Sequence, residues 1–476
     1  MEKEQYRKGA LIELSITDLA EKNQCFGRLD NGMAVMVTGM LAVGDRVSAA
    51  IKKIRQRYIE ATLVEVLIPS GDRVTPECGF FGVCGGCKMM HIAYEVQKEL
   101  KRKKIIDAMV HIGGFENPQV KPVMGAVAPL HYRNKIEFSF SARRYLMPGE
   151  LVLEKPLSSP DFALGFHAPG NFEKVLDVDY CYLAPSSMNE VLALTRSFCL
   201  ERELSAYSTR SNTGYLRNLV IRSSEHRRQL MVNLVTSWHD SELMRSYAEV
   251  LSAAMPNQEM TILNNVTTRK NTVALGEEEF LVAGDGFITE RLGKLDFNIS
   301  ANSFFQTNSA QTVLLYDEIL RVAGLDIGDT VYDLFCGTGT IALYLSDYCR
   351  QVIGLEVSES SVADARKNAA LNQREHVLFM QVDLNDHRAM VDALQRHDKP
   401  RVIVTDPPRA GMHPKALEVM VRIAPEKIVY VSCNPASLAR DGSEICKGGY
   451  RLTSLQPVDM FPHTSHIESV ACFERE

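Results

Sequence analysis

Residues 429–441 read VYVSCNPASLARD, an apolar run that ends in a thiol and then an asparagine–proline turn. A cysteine kept for packing belongs inside that run, among Ile428, Val429 and Val431. Cys433 instead stands at its mouth, where the strands of an open sheet carry ligand-binding groups. As a thiolate it is a nucleophile suited to electron-poor carbon. Two carboxylates in the same half of the chain can work beside it. Asp406 opens DPPR (406–409), a turn stiffened by its prolines, and can accept hydrogen bonds from an amide or amine. Glu468, in HTSHIESVACFER, is a candidate proton acceptor on an edge-strand pattern that would bring it back beside the sheet's end. His463 and His466 beside it read as structural or solvent-facing.

A second constellation lies upstream. Asp333 closes a strand, FCGTGT follows, and Gly337 and Gly339 allow a ligand to approach the backbone at a helix N-terminus. Glu356 ends the next strand, at the distance where a carboxylate typically receives a ribose hydroxyl pair. GTGTIA also satisfies the dinucleotide pattern GxGxxA, which leaves a nicotinamide oxidoreductase open on that motif alone. The acids before and after the glycines, with Asp383 at the end of the third strand and DPPR at the end of the fourth, look instead like the S-adenosylmethionine pocket of class I methyltransferases.

Cys78, Cys84 and Cys87 form CGFFGVCGGC, and Cys181 in DVDYCYLAP is a candidate fourth ligand. Such a set points to zinc or an iron–sulfur centre. Zinc usually takes two close pairs, so three clustered thiols and one distant one favour iron–sulfur. Cys336 lies within the glycine loop, while Cys25, Cys199, Cys349, Cys446 and Cys472 read as packing residues.

These residues need elements to hold them. The chain has 476 residues, too many for one ordinary core, with 45% apolar and 24% charged side chains, the range of soluble globular proteins. No window approaches eighteen consecutive apolar residues, so no membrane span is expected. The first residues, MEKEQYRKGALIEL, lack an apolar signal core, which with the cysteine usage predicts a cytoplasmic protein. The net charge of −6 excludes binding to polyanions by bulk charge alone. Basic runs at 51–57, 98–104, 141–144 and 221–228 lie on the N-terminal side, where they are solvated faces or part of a nucleic-acid track.

Residues 6–66 alternate apolar and polar in short runs separated by turn signals, the pattern of a small β-barrel. A helix is predicted from about 93, closed by the glycines at 113–114, and strand-like stretches over 130–290 predict an α+β region. From about 330, continuous apolar strands alternate with helical patterns, which predicts an α/β doubly wound parallel sheet.

The ordered motifs SFFQTN (303–308), DLFCGTG (333–339), DPPR, SCNP and HIESV resemble the RNA uracil-5-methyltransferase family, specifically its iron–sulfur branch with a TRAM barrel that acts on 23S ribosomal RNA. The resemblance covers nearly the whole chain. It implies a TRAM barrel over 6–66, a central iron–sulfur and RNA-binding domain over 75–92 and 126–300, and a Rossmann-like methyltransferase domain over 93–125 and 301–476. It implies Cys433 as nucleophile and Glu468 as base, with Gln306, Phe335, Gly337, Glu356, Asp383 and Asp406 about S-adenosylmethionine or the target base. It also implies a [4Fe–4S] cluster on Cys78, Cys84, Cys87 and Cys181. Met90 stands where the family commonly has glutamine.

The implied chemistry is physically coherent. Carbon 5 of uracil is too weak a nucleophile to take a methyl group directly. Thiolate addition at carbon 6 makes an enolate whose carbon 5 can attack a sulfonium methyl, after which a base must remove the carbon 5 proton. A uridine in a helix cannot reach a strand-end thiol, so the expected partner is a single-stranded or flipped-out nucleotide of 23S ribosomal RNA. In HYRNKIEF (131–138), Tyr132 is a candidate for stacking and Arg133 and Lys135 for phosphates. A monomer is expected. Methylation of an exocyclic amine, which would leave Cys433 idle, and a non-catalytic RNA-binding role are the competing readings. A transfer RNA target is disfavoured here because that branch resembles a shorter chain without barrel or cluster.

Overall fold

The computed structural model describes residues 6–19, 24–150, 159, 161–270 and 276–476. Parts of the expected barrel (20–23) and of the central domain (151–158, 160 and 271–275) lie outside them. Contacts divide the chain into two compact units, residues 1–101 with 463–465 and residues 102–462 with 466–476.

In the first unit, β1 (Leu11–Leu19), β2 (Gln24–Arg28), β3 (Ala34–Thr38), β4 (Arg46–Ile54) and β5 (Tyr58–Ile68) close a barrel in the order β1-β2-β3-β5-β4. Strict alternation along β1, with Ile12, Leu14 and Ile16 inward, fills the interior together with Val35, Val37, Val47 and Ile59. Asp45 is fully buried and locks the barrel's lower loops. It accepts the Ala42 N–H at 2.6 Å and the Ser70 N–H at 2.9 Å, and pairs with Arg73 at 2.7 Å. These bonds hold its carboxyl below the ordinary range despite burial.

Helix α1 (Tyr94–His111) runs from the first unit into the second. The second unit begins with a seven-stranded sheet. Its members are β6 (Lys135–Ser141), β7 (Ala163–Ala168), β8 (Asn171–Asp177), β9 (Leu216–Ser224), β10 (Gln229–Thr236), β11 (Glu259–Val266) and β12 (Glu278–Ala283), ordered β12-β11-β10-β9-β6-β7-β8. Helices α2 (Ser186–Glu201) and α3 (Ser241–Ala254) cover one face, burying Ile136, Phe138, Phe140, Leu219 and Ile221 against Met188, Phe198 and Tyr247. A hairpin of β13 (Phe287–Leu292) and β14 (Leu295–Ser300) follows.

The remainder of the chain is the doubly wound sheet. After α4 (Ser309–Ala323) come β15 (Thr330–Leu334), α5 (Thr340–Leu345), β16 (Gln351–Glu356), α6 (Glu359–Leu371), β17 (Val377–Gln381), α7 (His387–Gln395) and β18 (Val402–Thr405). Then follow α8 (Pro414–Ile423), β19 (Lys427–Ser432), α9 (Pro435–Lys447), β20 (Tyr450–Val458) and β21 (Glu468–Arg475). The order is β17-β16-β15-β18-β19-β21-β20. Strands β15 to β19 are parallel; β15 and β18 are buried throughout and β16 and β19 nearly so, as continuous apolar runs require, while β17 at the edge alternates buried and exposed residues.

Two features depart from the sequence reading. The sheet is not wholly parallel, because β21 returns antiparallel to both β19 and β20. The strand carrying Glu468 is also interior, with β20 as the edge, and six of its eight residues are buried. The sheet's order reverses between β15 and β18, where both run to their C-terminal ends side by side; a crevice at such a switch point is where this architecture binds ligands.

Candidate active site

Strand register brings the sequence motifs to one rim. Leu334 pairs with Leu355 on one side and Thr405 on the other, so Phe335, Glu356 and Asp406 all follow at the same level. Thr405 pairs with Tyr430 on β19, and Ser432 at the end of β19 pairs with Ser469 on β21. Cys433 and Glu468 are therefore the next residues of two adjacent antiparallel strands, set across from each other.

The cofactor side of the rim is held by backbone geometry. Phe335, Gly337 and Gly339 have φ of 64°, 54° and 78°. At Gly339 a Cβ would lie 2.5 Å from the Phe379 ring, so the loop and β17 meet only without a side chain. Phe335 is a bulky residue in the left-handed region, a conformation that costs free energy and clusters at functional sites. Glu356 accepts the Gly337 N–H at 3.1 Å and the Ser358 N–H at 2.9 Å, one on each oxygen. Beneath the loop Asp333 accepts the Ala342 N–H at 3.0 Å, while its other oxygen is buried without a partner. Burial, with Asp406 and Glu356 nearby, pushes the Asp333 carboxyl well above its usual range.

Gln306 lies on the segment between β14 and α4, half-buried. Its carbonyl accepts the Asn134 Nδ2–H at 2.8 Å, and the Phe304 carbonyl accepts the Thr338 hydroxyl at 3.2 Å, which ties this segment to the glycine loop. Asp383 is placed differently. It stands two residues beyond β17, exposed, and its Oδ1 accepts from the backbone and side chain of Asn385 at 2.9 and 3.2 Å.

The thiol side is built by a turn and a helix cap. Asn434 caps α9 by accepting the Ala436 N–H at 3.1 Å, Pro435 takes the first helical position, and Asn434 Nδ2 donates to the Arg409 carbonyl at 2.8 Å. DPPR is pinned below by buried Asp441, which accepts the Met412 N–H at 2.8 Å and the Tyr430 hydroxyl at 2.6 Å. Gly411 (φ 81°) lets this turn close, since a Cβ there would lie 2.4 Å from Arg440 Nη2. Cys433 thus sits just before the N-terminus of a 13-residue helix, where partial positive charge favours a thiolate.

Against that stand burial and two carboxylates. Burial first, then Glu468 and Asp406, push the Cys433 thiol up to about 11, with Arg409 pulling it down by charge and a hydrogen bond. Burial pushes Asp406 up to about 6. Burial and Asp406 push Glu468 well above its range, again opposed by Arg409. The guanidinium of Arg409 also approaches His466 Nδ1 at 3.5 Å. Burial and the crowding of like groups thus push the thiol and both carboxyls towards their neutral forms, and a cation beside them would shift them towards their charged forms.

Arg409, Asn134 and Tyr316 escaped the sequence reading. Arg409 stood in the sequence only as the last residue of DPPR, with no role assigned to it. Asn134 interrupts the inward alternation of Ile136 and Phe138, a polar residue at a buried position, and that was its signal. Tyr316 gave none; it is buried in α4, its hydroxyl 2.6 Å from Thr340 Oγ1. Tyr132, expected to stack, donates its hydroxyl to the Pro462 carbonyl at 3.1 Å.

In the first unit the cysteine loop turns through hydrogen bonds from Phe81 N–H to the Cys78 carbonyl and from Cys84 N–H to the Phe80 carbonyl. The Gly86 N–H donates to Cys84 Sγ at 3.4 Å. In the second unit Asn189 of α2 clamps the backbone of Cys181, accepting its N–H at 2.8 Å and donating to its carbonyl at 3.2 Å. Among the described residues no group of three or more His, Cys, Asp or Glu side chains is gathered about a common metal position. No helix among them is long and apolar enough to cross a membrane.

The parallel sheet with its glycine loop defines a methyltransferase of the α/β class. Comparison with known proteins narrows it. Residues 223–476 match the tRNA (uracil-5-)-methyltransferase family and residues 5–64 match the TRAM domain. An uncharacterized RNA methyltransferase of Chlorobaculum tepidum is 61% identical over 470 residues, covering 99% of this chain and 97% of its own. One of Porphyromonas gingivalis is 37% identical, covering 97% and 99%. The Pyrococcus abyssi tRNA (uracil-54, C5)-methyltransferase, solved with S-adenosyl-L-homocysteine, superposes with a TM-score of 0.72 at 27% identity, over 97% of this chain and 100% of that one. This chain belongs to the RNA uracil-5-methyltransferase family, and S-adenosylmethionine is its methyl donor.

Proposed function

We propose that this protein methylates carbon 5 of a uridine in 23S ribosomal RNA through a covalent bond between Cys433 Sγ and carbon 6, with Glu468 as the base. The observation that carries the reading is the register of β19 and β21, which sets Cys433 opposite Glu468 with Asp406 on the neighbouring strand.

S-adenosylmethionine supplies an electrophilic methyl group and a positive charge. Glu356 is the acceptor for its ribose hydroxyls; Gln306, Phe335, Gly337 and Asp383 line its site, Asp383 by turning from its local bonds with Asn385. Asp406 receives the N3–H edge of the uracil or the donor's polar end. The Cys433 thiolate, favoured by the α9 terminus and Arg409, adds to carbon 6 and sends electron density to the carbon 4 oxygen. Carbon 5 then takes the methyl group as the sulfonium sulfur keeps the bonding pair. Glu468 removes the carbon 5 proton, the carbon 5–carbon 6 double bond reforms, and Cys433 leaves as thiolate. The barrel and the basic stretches engage the RNA around the extruded base.

The cysteine set is chemically suited to a [4Fe–4S] cluster held by Cys78, Cys84, Cys87 and Cys181. Soft thiolates and an N–H···S bond at Cys84 are the features such a group uses. Methyl transfer needs no electron, so the cluster's role is structural. Iron and acid-labile sulfide copurifying with the wild type and absent from Cys84→Ser support this assignment; their absence from both removes it.

A transfer RNA target is the second reading. The Pyrococcus enzyme named for that substrate matches nearly all of this chain, so chain length does not separate the two. Mass spectrometry of nucleosides from the 23S and transfer RNA of a deletion strain decides, as 5-methyluridine must vanish from one of them. Glu468→Gln tests the chemistry: with donor and RNA it accumulates a covalent protein–RNA band that wild type does not. A variant that turns over normally, or stalls without the band, rules out the role given to Glu468.

A further inference from the structure

The segment that carries Gln306 lies outside every strand and helix between β14 and α4, yet its backbone is held carbonyl by carbonyl. Arg222 of β9, 3% exposed, donates to the Ala301 and Ser303 carbonyls. Thr338 of the glycine loop takes the Phe304 carbonyl, and Asn134 takes the next two. Its Nδ2 donates to the Gln306 carbonyl at 2.8 Å and its backbone N–H to the Thr307 carbonyl at 2.9 Å. Beyond them Asn308 caps α4 and donates to the Met460 carbonyl at 3.2 Å.

The side chains alternate on this fixed backbone. Ser303 and Phe305 are buried, Phe305 in the apolar core, while Phe304 is exposed and Gln306 half-buried. Among the described residues, no protein group bonds the side-chain amide of Gln306. A polar side chain kept open on a pinned backbone is arranged for a ligand rather than for folding.

Asn134 is the residue that sets this arrangement at Gln306 itself. Both of its amide hydrogens are engaged within three residues of it, one on the Gln306 carbonyl and the other on Ser309 Oγ at 2.9 Å. Ser309 in turn donates to buried Glu290 at 3.0 Å, which fixes the direction of that bond. The Asn134 carbonyl accepts the Ser223 N–H at 2.9 Å, so the residue is strapped to β9 while it holds the segment. An acid of the same shape has no N–H for either acceptor, and a smaller side chain reaches neither.

We propose that Asn134 is a positioning residue for methyl transfer, aiming the Gln306 amide into the crevice by holding its carbonyl and the Ser309 hydroxyl. This rests on the reading of Gln306 as part of the S-adenosylmethionine site and adds what orients it. A reacting group misplaced by about 1 Å loses about 100-fold in rate, so a contact remote from the chemistry suffices for a large effect.

The test is a double-mutant cycle on the full chain, read by single-turnover methyl transfer and by calorimetry of donor binding. Asn134→Ala should slow transfer about 100-fold and weaken the donor about tenfold. In the Gln306→Ala background the same substitution should cost less than about twofold, because the side chain it aims is gone. A purely structural role gives equal losses in both backgrounds. Asn134→Asp, which keeps the shape and removes the N–H donor, repeats the cycle in a protein whose melting temperature is matched against wild type. Losses that multiply in the double variants, or wild-type transfer by Asn134→Ala, overturn the inference alone. Gln306→Ala with wild-type donor affinity and transfer removes the reading of Gln306, and the inference with it.

Discussion

The two halves of the ligand crevice are built on opposite electrostatic terms. Around β15 and β16 the carboxylate of Glu356 has a backbone N–H on each oxygen before any ligand arrives. Around β18, β19 and β21, Asp406, Glu468 and Cys433 crowd together, and all three are pushed towards their neutral forms. A preorganised half binds with little rearrangement, whereas a crowded half holds its charges back until a cation relieves it. On the proposed function, the first half holds the donor and the second carries the reaction.

Cys433→Ala should break the reactive half most completely, lowering methyl transfer by at least about a thousandfold while S-adenosylmethionine binding, read by calorimetry, stays intact. Turnover within tenfold of wild type would end the division of labour. Glu356→Ala should do the reverse, weakening donor binding about 10- to 100-fold in the same titration and leaving RNA affinity unchanged.

The pH dependence of Cys433 sharpens the comparison further. With the thiol at about 11, alkylation of Cys433 in the ligand-free protein should rise about tenfold per unit between pH 8 and pH 10. A rate already flat near neutrality would mean that the α9 terminus and Arg409 outweigh the carboxylates.

The smallest effect is on stability. Asp406 titrates at about 6 when folded and about 3.9 when unfolded, so the folded state binds its proton more tightly. Stability is therefore lost as pH rises between those values, and the loss is complete above the folded one. Asp406→Asn should melt a few degrees higher than wild type at pH 7.5, with the gap closing below pH 4, while methyl transfer falls. An unchanged melting temperature at both pH values would show that Asp406 is not strained by its setting.

Much of this site was legible because its chemistry is local. Cys433, Asn434 and Pro435 announce a strand end, a helix cap and a first helical turn in three residues, and the cap is found as the pattern implies. Glycines 337 and 339 likewise announce left-handed backbone. Asp383 marks the limit of such local signals, since position after the third strand does not say that its carboxylate accepts from Asn385 nearby. Arg409 and Asn134 were obscured because their roles lie in contacts to residues far away in sequence.

Sequence alone determined the elements, because alternation, caps and glycines act within a few residues and bury or expose each position directly. It also supplied the candidate nucleophile and the candidate acids. Only the tertiary structure decided which strands are neighbours. The return of β21 between β19 and β20 is what places Glu468 across from Cys433, and pairing between distant strands is set by the packing of the whole sheet, which no local pattern encodes.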